Sequence, residues 1–380
     1  MKRKLCFVVS SDITVKAFLL EHIRAAAQVH DVSVVANTSD TAALRALGVP
    51  VDITPIAIER RIAPLVDLAA LWALFRYFRR ERFDLVHSLT PKAGLLAALA
   101  GALAGVPVRL HTFTGQVWVT RAGFGRWLLK RIDELTAATC THVLADSGSQ
   151  RDFLVAEGVV APERIAVLAQ GSVNGVDAAR FKPDADARAR VRAESGLAPD
   201  AVVFLYLGRL TVDKGLLDLA RAFAGVPGTY LAMVGPDEEG LTERIRAVCG
   251  GDASRLRFIG YTGEPQAFMA AADVFVLPSY REGFGSTVIE AAACGLPAIA
   301  SRIYGLTDAV EDGATGFLVP PRDPAALAQR MRELAADATL RQRLGAAARE
   351  RAVRDFPQAA LTQATLAYYE RTLAERACAA

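Results

Sequence analysis

The segment ADVFVLPSYREGFGSTVIEAAACGLPAIAS, residues 272–301, sets the architecture of the chain. Its first part, DVFVLPS (273–279), is an apolar run with the character of a buried strand. A glycine-containing loop follows, then an alanine-rich stretch that starts a helix at Ser286 or Thr287, then a second apolar run, PAIAS (297–301). Strand, helix and strand in that order make a βαβ unit of a parallel sheet. Glu282 and Glu290 lie eight residues apart within it. A carboxylate facing so easily buried an alanine run must be hydrogen-bonded or paired.

The same rhythm fills the chain. LCFVVS (5–10), VSVVA (32–36), DLVHS (84–88), VRLHTF (108–113), HVLAD (142–146) and RIAVL (164–168) alternate with longer Ala/Leu-rich helical stretches. After the polar connection RFKPDADARARVRAESGLAPD (180–200) the pattern restarts with VVFLYLG (202–208), YLAMVG (230–235), LRFIG (256–260) and GFLVP (316–320). A chain of 380 residues exceeds the roughly 250–300 at which single cores stop growing. The expectation is an α/β protein of two doubly wound, Rossmann-like parallel-sheet domains, 1–175 and 176–355. A terminal helix, 356–380, needs a surface to pack on and is expected to return to the first domain. No short-period repeat points to a solenoid.

Composition narrows the classes. Cys6, Cys140, Cys249, Cys294 and Cys378 are scattered, with neither a disulfide framework nor zinc spacing, which fits a reducing cytoplasm. The start, MKRKLCFVVSSD, has a basic head, but its apolar run is too short for a signal peptide and meets Asp12. The longest apolar window, Ala93 to Val108, is interrupted by Gly94, Gly101, Gly105 and Pro107 and is too short to span a bilayer. Net charge is +3, with 20 Lys+Arg against 15 Asp+Glu in residues 1–175. That excess is too small to imply nucleic acid, but it permits contact with an anionic membrane surface.

Ligands of open parallel sheets bind beyond the carboxyl ends of the strands, so the loops there hold the candidates. After VVFLYL comes GRLTVDKG (208–215), in which Arg209 and Lys214 stand between Gly208 and Gly215. Two cations held by glycine turns suit a diphosphate, whose oxygens take charge-assisted bonds from Arg and Lys; a solvated surface turn is the plain alternative. In the opening segment, Gly283 and Gly285 allow close backbone approach, and a helix starting at Ser286 or Thr287 points free N–H groups at an anion. Thr287-Val-Ile-Glu290 also has capping-box spacing, which would turn Glu290 back onto the helix start.

Together these residues resemble the retaining glycosyltransferases of the GT-B fold, specifically glycosyltransferase family 4. The resemblance is carried by GRLTVDKG, VGPDEEG (234–240), FIGY (258–261), residues 272–301, VEDGATGFLVPPRDPAAL (310–327) and GSVNGVDAARFKP (171–183). It implies a nucleotide-diphosphate sugar as donor, with Glu282 on the sugar hydroxyls and Glu290 on the ribose. It further implies Gly285, Ser286 and Thr287, with Phe284 beside them, around the diphosphate. Arg209 and Lys214 would neutralise the departing charge, and backbone near Tyr261 would lie beside the base. Such enzymes use neither a cofactor nor a divalent metal at an Asp-x-Asp motif; here the only such spacing, Asp184-Ala185-Asp186, lies in the polar connection.

The first half departs from that pattern. Ser10, Ser11 and Asp12 stand where many relatives carry Gly-Gly, and RLHTFTGQVW (109–118) puts Thr114 before the glycine, with His111 three residues earlier. Ser11, Lys92, His111 and Thr114 are the acceptor-side candidates, in HSLTPKAG (87–94) and HTFTGQVW. Six arginines between 60 and 82, and the helix PLVDLAALWALFRYFRR with Leu65, Leu68, Trp72 and Phe75 on one face, suit either an anionic lipid surface or packing on the sheet. With the resemblance, these features imply a peripheral enzyme at the inner face of the cell membrane that uses a polyprenyl-diphosphate-linked sugar acceptor. The rivals are a GT-B enzyme with a soluble acceptor, a nucleotide-sugar epimerase, and a catalytically silent GT-B partner subunit. A dehydrogenase is disfavoured because no strand-linked GxGxxG occurs.

Overall fold

Runs of Val, Leu, Ile and Phe bury both faces of a strand, as a helix-covered parallel sheet requires. In the computed structural model, which describes residues 2–46, 48 and 51–379, they form two such sheets. The first contains β1 (Lys4–Val9), β2 (Asp31–Ala36), β3 (Asp52–Pro55), β4 (Leu85–Leu89), β5 (Val108–Phe113), β6 (His142–Ala145) and β7 (Ile165–Val167), in the order β3-β2-β1-β4-β5-β6-β7. The second contains β8 (Val202–Leu207), β9 (Thr229–Val234), β10 (Leu256–Ile259), β11 (Val274–Leu277), β12 (Ala298–Ser301) and β13 (Gly316–Val319), in the order β10-β9-β8-β11-β12-β13. Every strand pair is parallel, with registers such as Phe7↔Val34 and Phe204↔Leu231.

In each sheet the order reverses next to the first strand, between β1 and β4 and between β8 and β11. Loops leaving two such strands at their carboxyl ends diverge to opposite faces of the sheet, which opens a crevice. The loops after β8 and β11 are the two that carry Arg209, Lys214, Glu282 and Gly285.

The chain divides into two compact units, one of Met1–Asn174 with Gln358–Ala380, the other Gly175–Pro357. In the first, the Gln358–Ala379 helix buries Tyr369 completely among Phe7, Leu5 and Ile23, and the Tyr369 hydroxyl lies 2.6 Å from His87 Nδ1. The opposite face of that sheet is covered by the helices Pro64–Glu81, Pro91–Ala104 and Gly123–Thr139, whose inward residues include Leu74, Phe78, Leu96, Ala97 and Ala137. In the second unit one continuous core runs from Phe204 and Phe275 to Phe356.

Two details tie local sequence to this packing. Proline opens the Pro64–Glu81 and Pro91–Ala104 helices, where its missing N–H costs nothing. In the second unit Asp273, just before β11, receives Arg188 and Arg192 at 2.7 Å each and the Val203 N–H at 2.7 Å. That carboxylate joins the Ala185–Glu194 helix to the middle of the sheet, with all its charge compensated. Asp184, the first residue of the Asp-x-Asp spacing, caps the same helix by accepting from the Ala187 N–H.

Candidate active site in the second unit

The loop after β8 turns through a short 3-10 segment, Val212–Lys214, and ends at Gly215 with φ +70°. A side chain at Gly215 is impossible without movement, because a Cβ there would lie 2.1 Å from the Pro278 carbonyl oxygen. The loop after β11 is therefore pressed directly onto the loop after β8. Further contacts hold the two together: the Tyr280 N–H donates to the Asp213 carbonyl at 2.8 Å, Arg281 Nε to Asp213 Oδ2 at 2.8 Å, and the Tyr280 hydroxyl to Asp218 Oδ2 at 2.6 Å. Arg322 covers the Tyr280 ring at 3.9 Å.

This clamp brings Lys214 to Glu282. The ammonium is hydrogen-bonded to Glu282 Oε1, and Ser279 Oγ donates to the same oxygen at 2.8 Å. Both side chains are mostly, but not wholly, covered, at 20% and 15% exposure. A cation and a carboxylate held at an accessible crevice can grip a ligand carrying both hydroxyls and anionic charge. Arg209 shares the loop but pairs with Glu238, Nη1 to Oε2 at 2.7 Å, on the more exposed side.

Beyond Glu282 the chain reaches Gly285, at φ +89°, which caps the Ser286–Ala293 helix. A Cβ there would come within 2.5 Å of Leu306 Cδ2. No side chain caps this helix, and among the described residues the Ser286 and Thr287 N–H groups find no protein acceptor. A helix start of this kind, with its positive end uncovered, is an anion seat.

The helix start also disposes of the capping box. With Gly285 as the cap, Glu290 sits more than a turn inside the helix and cannot reach back to the cap N–H. Its carboxylate makes no hydrogen bond among the described residues. Although its surface is not fully closed, the enclosing protein raises its pKa to about 7 by desolvation, with the Arg180 charge pulling it back. A carboxyl so poised lacks the partner that a purely structural role would supply. Phe284, in contrast, is buried and packs edge-on against Phe356 at 5.2 Å, so only its backbone faces the loop. Tyr261, just after edge strand β10, is exposed.

In the first unit the acceptor-side candidates are engaged in local structure. Ser11 caps the short Asp12–Thr14 helix and shares a hydroxyl contact with Thr14 at 3.1 Å. His111 is buried within β5, its Nδ1 3.0 Å from Ser88 Oγ and its ring against Gly94, and burial lowers its pKa to about 4. Burial thus favours its neutral form. Lys92 is ion-paired with Asp67 at 2.8 Å, which ties two helices together. Thr114 is half-buried, and its carbonyl accepts from Gln150 Nε2 at 3.2 Å.

Ser279, Asp213, Asp218, Tyr280, Arg281 and Arg180 support this site and escaped the reading of the sequence. A signal existed for some: Asp213 lies within GRLTVDKG, and Ser279, Tyr280 and Arg281 directly precede Glu282.

Comparison with known proteins bears on the family and the fold. Residues 187–351 match the family described as Glycosyl transferases group 1, and residues 19–171 match a Glycosyl transferase 4-like domain. The chain is 29% identical to the capsular polysaccharide biosynthesis glycosyltransferase CapM of Staphylococcus aureus, over 84% of this chain and 85% of that protein. It is 30% identical to the UDP-Gal:alpha-D-GlcNAc-diphosphoundecaprenol alpha-1,3-galactosyltransferase of Escherichia coli, over 70% and 69%. Anabaena HepE, solved in complex with UDP and glucose, superposes with a TM-score of 0.82 at 20% identity, covering 97% of this chain and all of that one. Sucrose-phosphate synthase of Thermosynechococcus elongatus superposes at 0.81 with 22% identity, covering 98% and all of that chain. The chain belongs to the group 1 glycosyltransferases, and its two parallel-sheet halves have the GT-B architecture.

Proposed function

We propose that this protein transfers a hexose or N-acetylhexosamine, with retention and without a divalent metal, from a UDP-sugar to a polyprenyl-diphosphate-linked sugar. The product would serve surface polysaccharide or glycan assembly at the inner face of the cell membrane. The observation that carries the donor half is the Lys214–Glu282 pair at the β8/β11 crevice, beside the uncovered start of the Ser286–Ala293 helix. Lys214, with Arg209, turns toward the diphosphate; Glu282 accepts from sugar hydroxyls; Ser286 and Thr287 N–H groups bind phosphate oxygens; Glu290 accepts from the ribose. Backbone near Tyr261 flanks the base.

The reaction needs no separate base in this scheme. The acceptor hydroxyl bonds to the anomeric carbon on the face from which the diphosphate leaves. Its proton passes to the departing phosphate oxygen as the carbon–oxygen bond to that phosphate breaks. Fixed positive groups at the leaving diphosphate stabilise the charge that develops there. The acceptor half is supported by the Escherichia coli relative, whose name includes a diphosphoundecaprenol-linked acceptor, and by CapM.

A nucleotide-sugar panel read by thermal shift identifies the donor, since a ligand of the native state raises apparent stability. Transfer is then assayed in EDTA with lipid-linked and soluble acceptors. The expected result is transfer to the lipid-linked sugar alone, undiminished by EDTA. Ready transfer to soluble sugars with no use of lipid-linked ones overturns the acceptor assignment, and loss of activity in EDTA overturns the metal-independent scheme.

A further inference from the structure

The helices Pro64–Glu81, Pro91–Ala104 and Gly123–Thr139 pack side by side on one face of the first sheet, with Pro91–Ala104 in the middle. Each helix of such a layer should turn its apolar stripe inward. The two outer helices do this with Leu74, Tyr77 and Phe78, and with Thr136 and Ala137. Both also carry a second apolar stripe that faces solvent.

On Pro64–Glu81 that outer stripe is Leu65, Leu68 and Trp72, exposed at 83%, 62% and 60%. On Gly123–Thr139 it is Phe124, Trp127 and Leu128, at 72%, 53% and 36%. The spacings 65-68-72 and 124-127-128 are those of a single helical face. Aromatic pairs brace both stripes, Trp72 with Phe75 at 5.3 Å and Phe124 with Trp127 at 5.6 Å.

Charge decides what covers such a surface. Exposed arginines flank both stripes: Arg60, Arg61, Arg76 and Arg79 on one, Arg121 and Arg131 on the other. Asp67 pairs with Lys92, Glu134 with Arg131, and Glu157 with Arg126 and Lys130, and the exposed Glu59 lies beside Arg60; arginine and lysine still outnumber the acids around both stripes. Arginine and aromatic residues are also at home in protein–protein interfaces, but a two-fold dimer through this face would set arginines against arginines. Aromatic and aliphatic side chains interleaved with arginine suit the interface of a bilayer with anionic headgroups.

Topology adds a direction. These helices follow β3, β4 and β5, so their amino-terminal halves lie at the carboxyl edge of the sheet. All six apolar residues lie in those halves, at the edge where Lys92 stands in the first turn of its helix and the loop containing Thr114 opens.

We infer that the outer faces of Pro64–Glu81 and Gly123–Thr139 form one docking surface for an anionic lipid bilayer, with Phe124, Trp127 and Leu128 as a second anchor. The inference rests on the proposed lipid-linked acceptor for its purpose, but it is tested without donor or acceptor.

The test is flotation of the full chain with vesicles of phosphatidylcholine alone and of phosphatidylcholine with phosphatidylglycerol. The wild type floats with the anionic vesicles, less at high salt, and not with the neutral ones. The double variants Phe124→Ser/Trp127→Ser and Leu65→Ser/Trp72→Ser each lose roughly tenfold or more of this binding, because the removed groups bury apolar area in the bilayer. Their thermal midpoints and circular dichroism spectra match the wild type, which excludes misfolding. Wild-type flotation by the first variant overturns the second anchor. No flotation of the wild type, or a dimer in light scattering that both variants abolish, overturns the bilayer as occupant. A protein that floats as expected yet ignores lipid-linked acceptors refutes the proposed function and leaves this surface standing.

Discussion

Gly215 and Pro278 meet so closely that the alpha-carbon of one has no room for a side chain under the carbonyl of the other. This contact sets the distance between the loops after β8 and β11, and so places Lys214 against Glu282.

Gly215→Ala therefore carries two costs, a left-handed conformation and a backbone clash. Gly228→Ala carries only the first, since its φ is +71° with nothing within 4 Å of the new methyl. Gly228→Ala is expected to lose about 1–2 kcal/mol. Gly215→Ala should lose clearly more in urea unfolding and also weaken UDP binding by calorimetry. Equal losses for the two would show that the loop contact is not a constraint.

Lys214→Ala removes the cation from the crevice but leaves Glu282 its hydrogen bond from Ser279. Donor turnover should fall roughly a hundredfold or more, as when a preorganised transition-state donor is removed. The thermal midpoint should barely move, because the pair is partly solvated. Turnover near wild type would sink the role given to Lys214.

Glu290 makes a prediction in pH. Its pKa of about 7, against an ordinary 4.5, means that in this window the folded chain holds a proton the unfolded chain has released. The stability this group contributes is full below the lower value and is lost as pH rises through the upper one. Glu290→Gln cannot ionise, so its stability should fall less than that of the wild type between roughly pH 5 and 8 in thermal unfolding. Nucleotide affinity should follow the opposite trend, strengthening through about pH 7 in the wild type only, since an ionised carboxylate is the better acceptor for ribose hydroxyls. Parallel pH profiles for the two proteins would refute both statements.

Asp273 is expected to matter for folding alone. Asp273→Ala leaves Arg188 and the buried Arg192 without their shared carboxylate and should cost about 3 kcal/mol in urea unfolding. The folded fraction should keep wild-type donor affinity.

The sequence shows the two sheets plainly because parallel strands advertise themselves as short continuous apolar runs. β3 is the exception: Asp52-Ile-Thr-Pro55 has neither such a run nor a clean alternation, and it is a strand through its pairing with β2. Glu282 and Lys214 are each visible, but their pairing spans 68 residues and depends on β8 lying beside β11, which no local pattern encodes. The capping-box spacing at Thr287 misleads because the helix is capped two residues earlier, at Gly285. VRLHTF already places His111 inside a strand, but that its imidazole packs beneath Gly94 depends on a helix crossing the sheet, which no local pattern shows. Periodicity reveals the stripe at Leu65, Leu68 and Trp72, but not which way it faces; that is settled by Leu74 and Phe78, which take the sheet side.

The burial of Tyr369 against Phe7 and His87 has a consequence for the order of events on the ribosome. The second unit is continuous in the chain, Gly175–Pro357, and can close its core as soon as it has emerged. The first unit, although synthesised first, lacks the side chains that fill one face of its sheet until the Gln358–Ala379 helix arrives. The earlier-made half is thus the later to finish, and it waits with an open apolar face for as long as its partner takes to be translated.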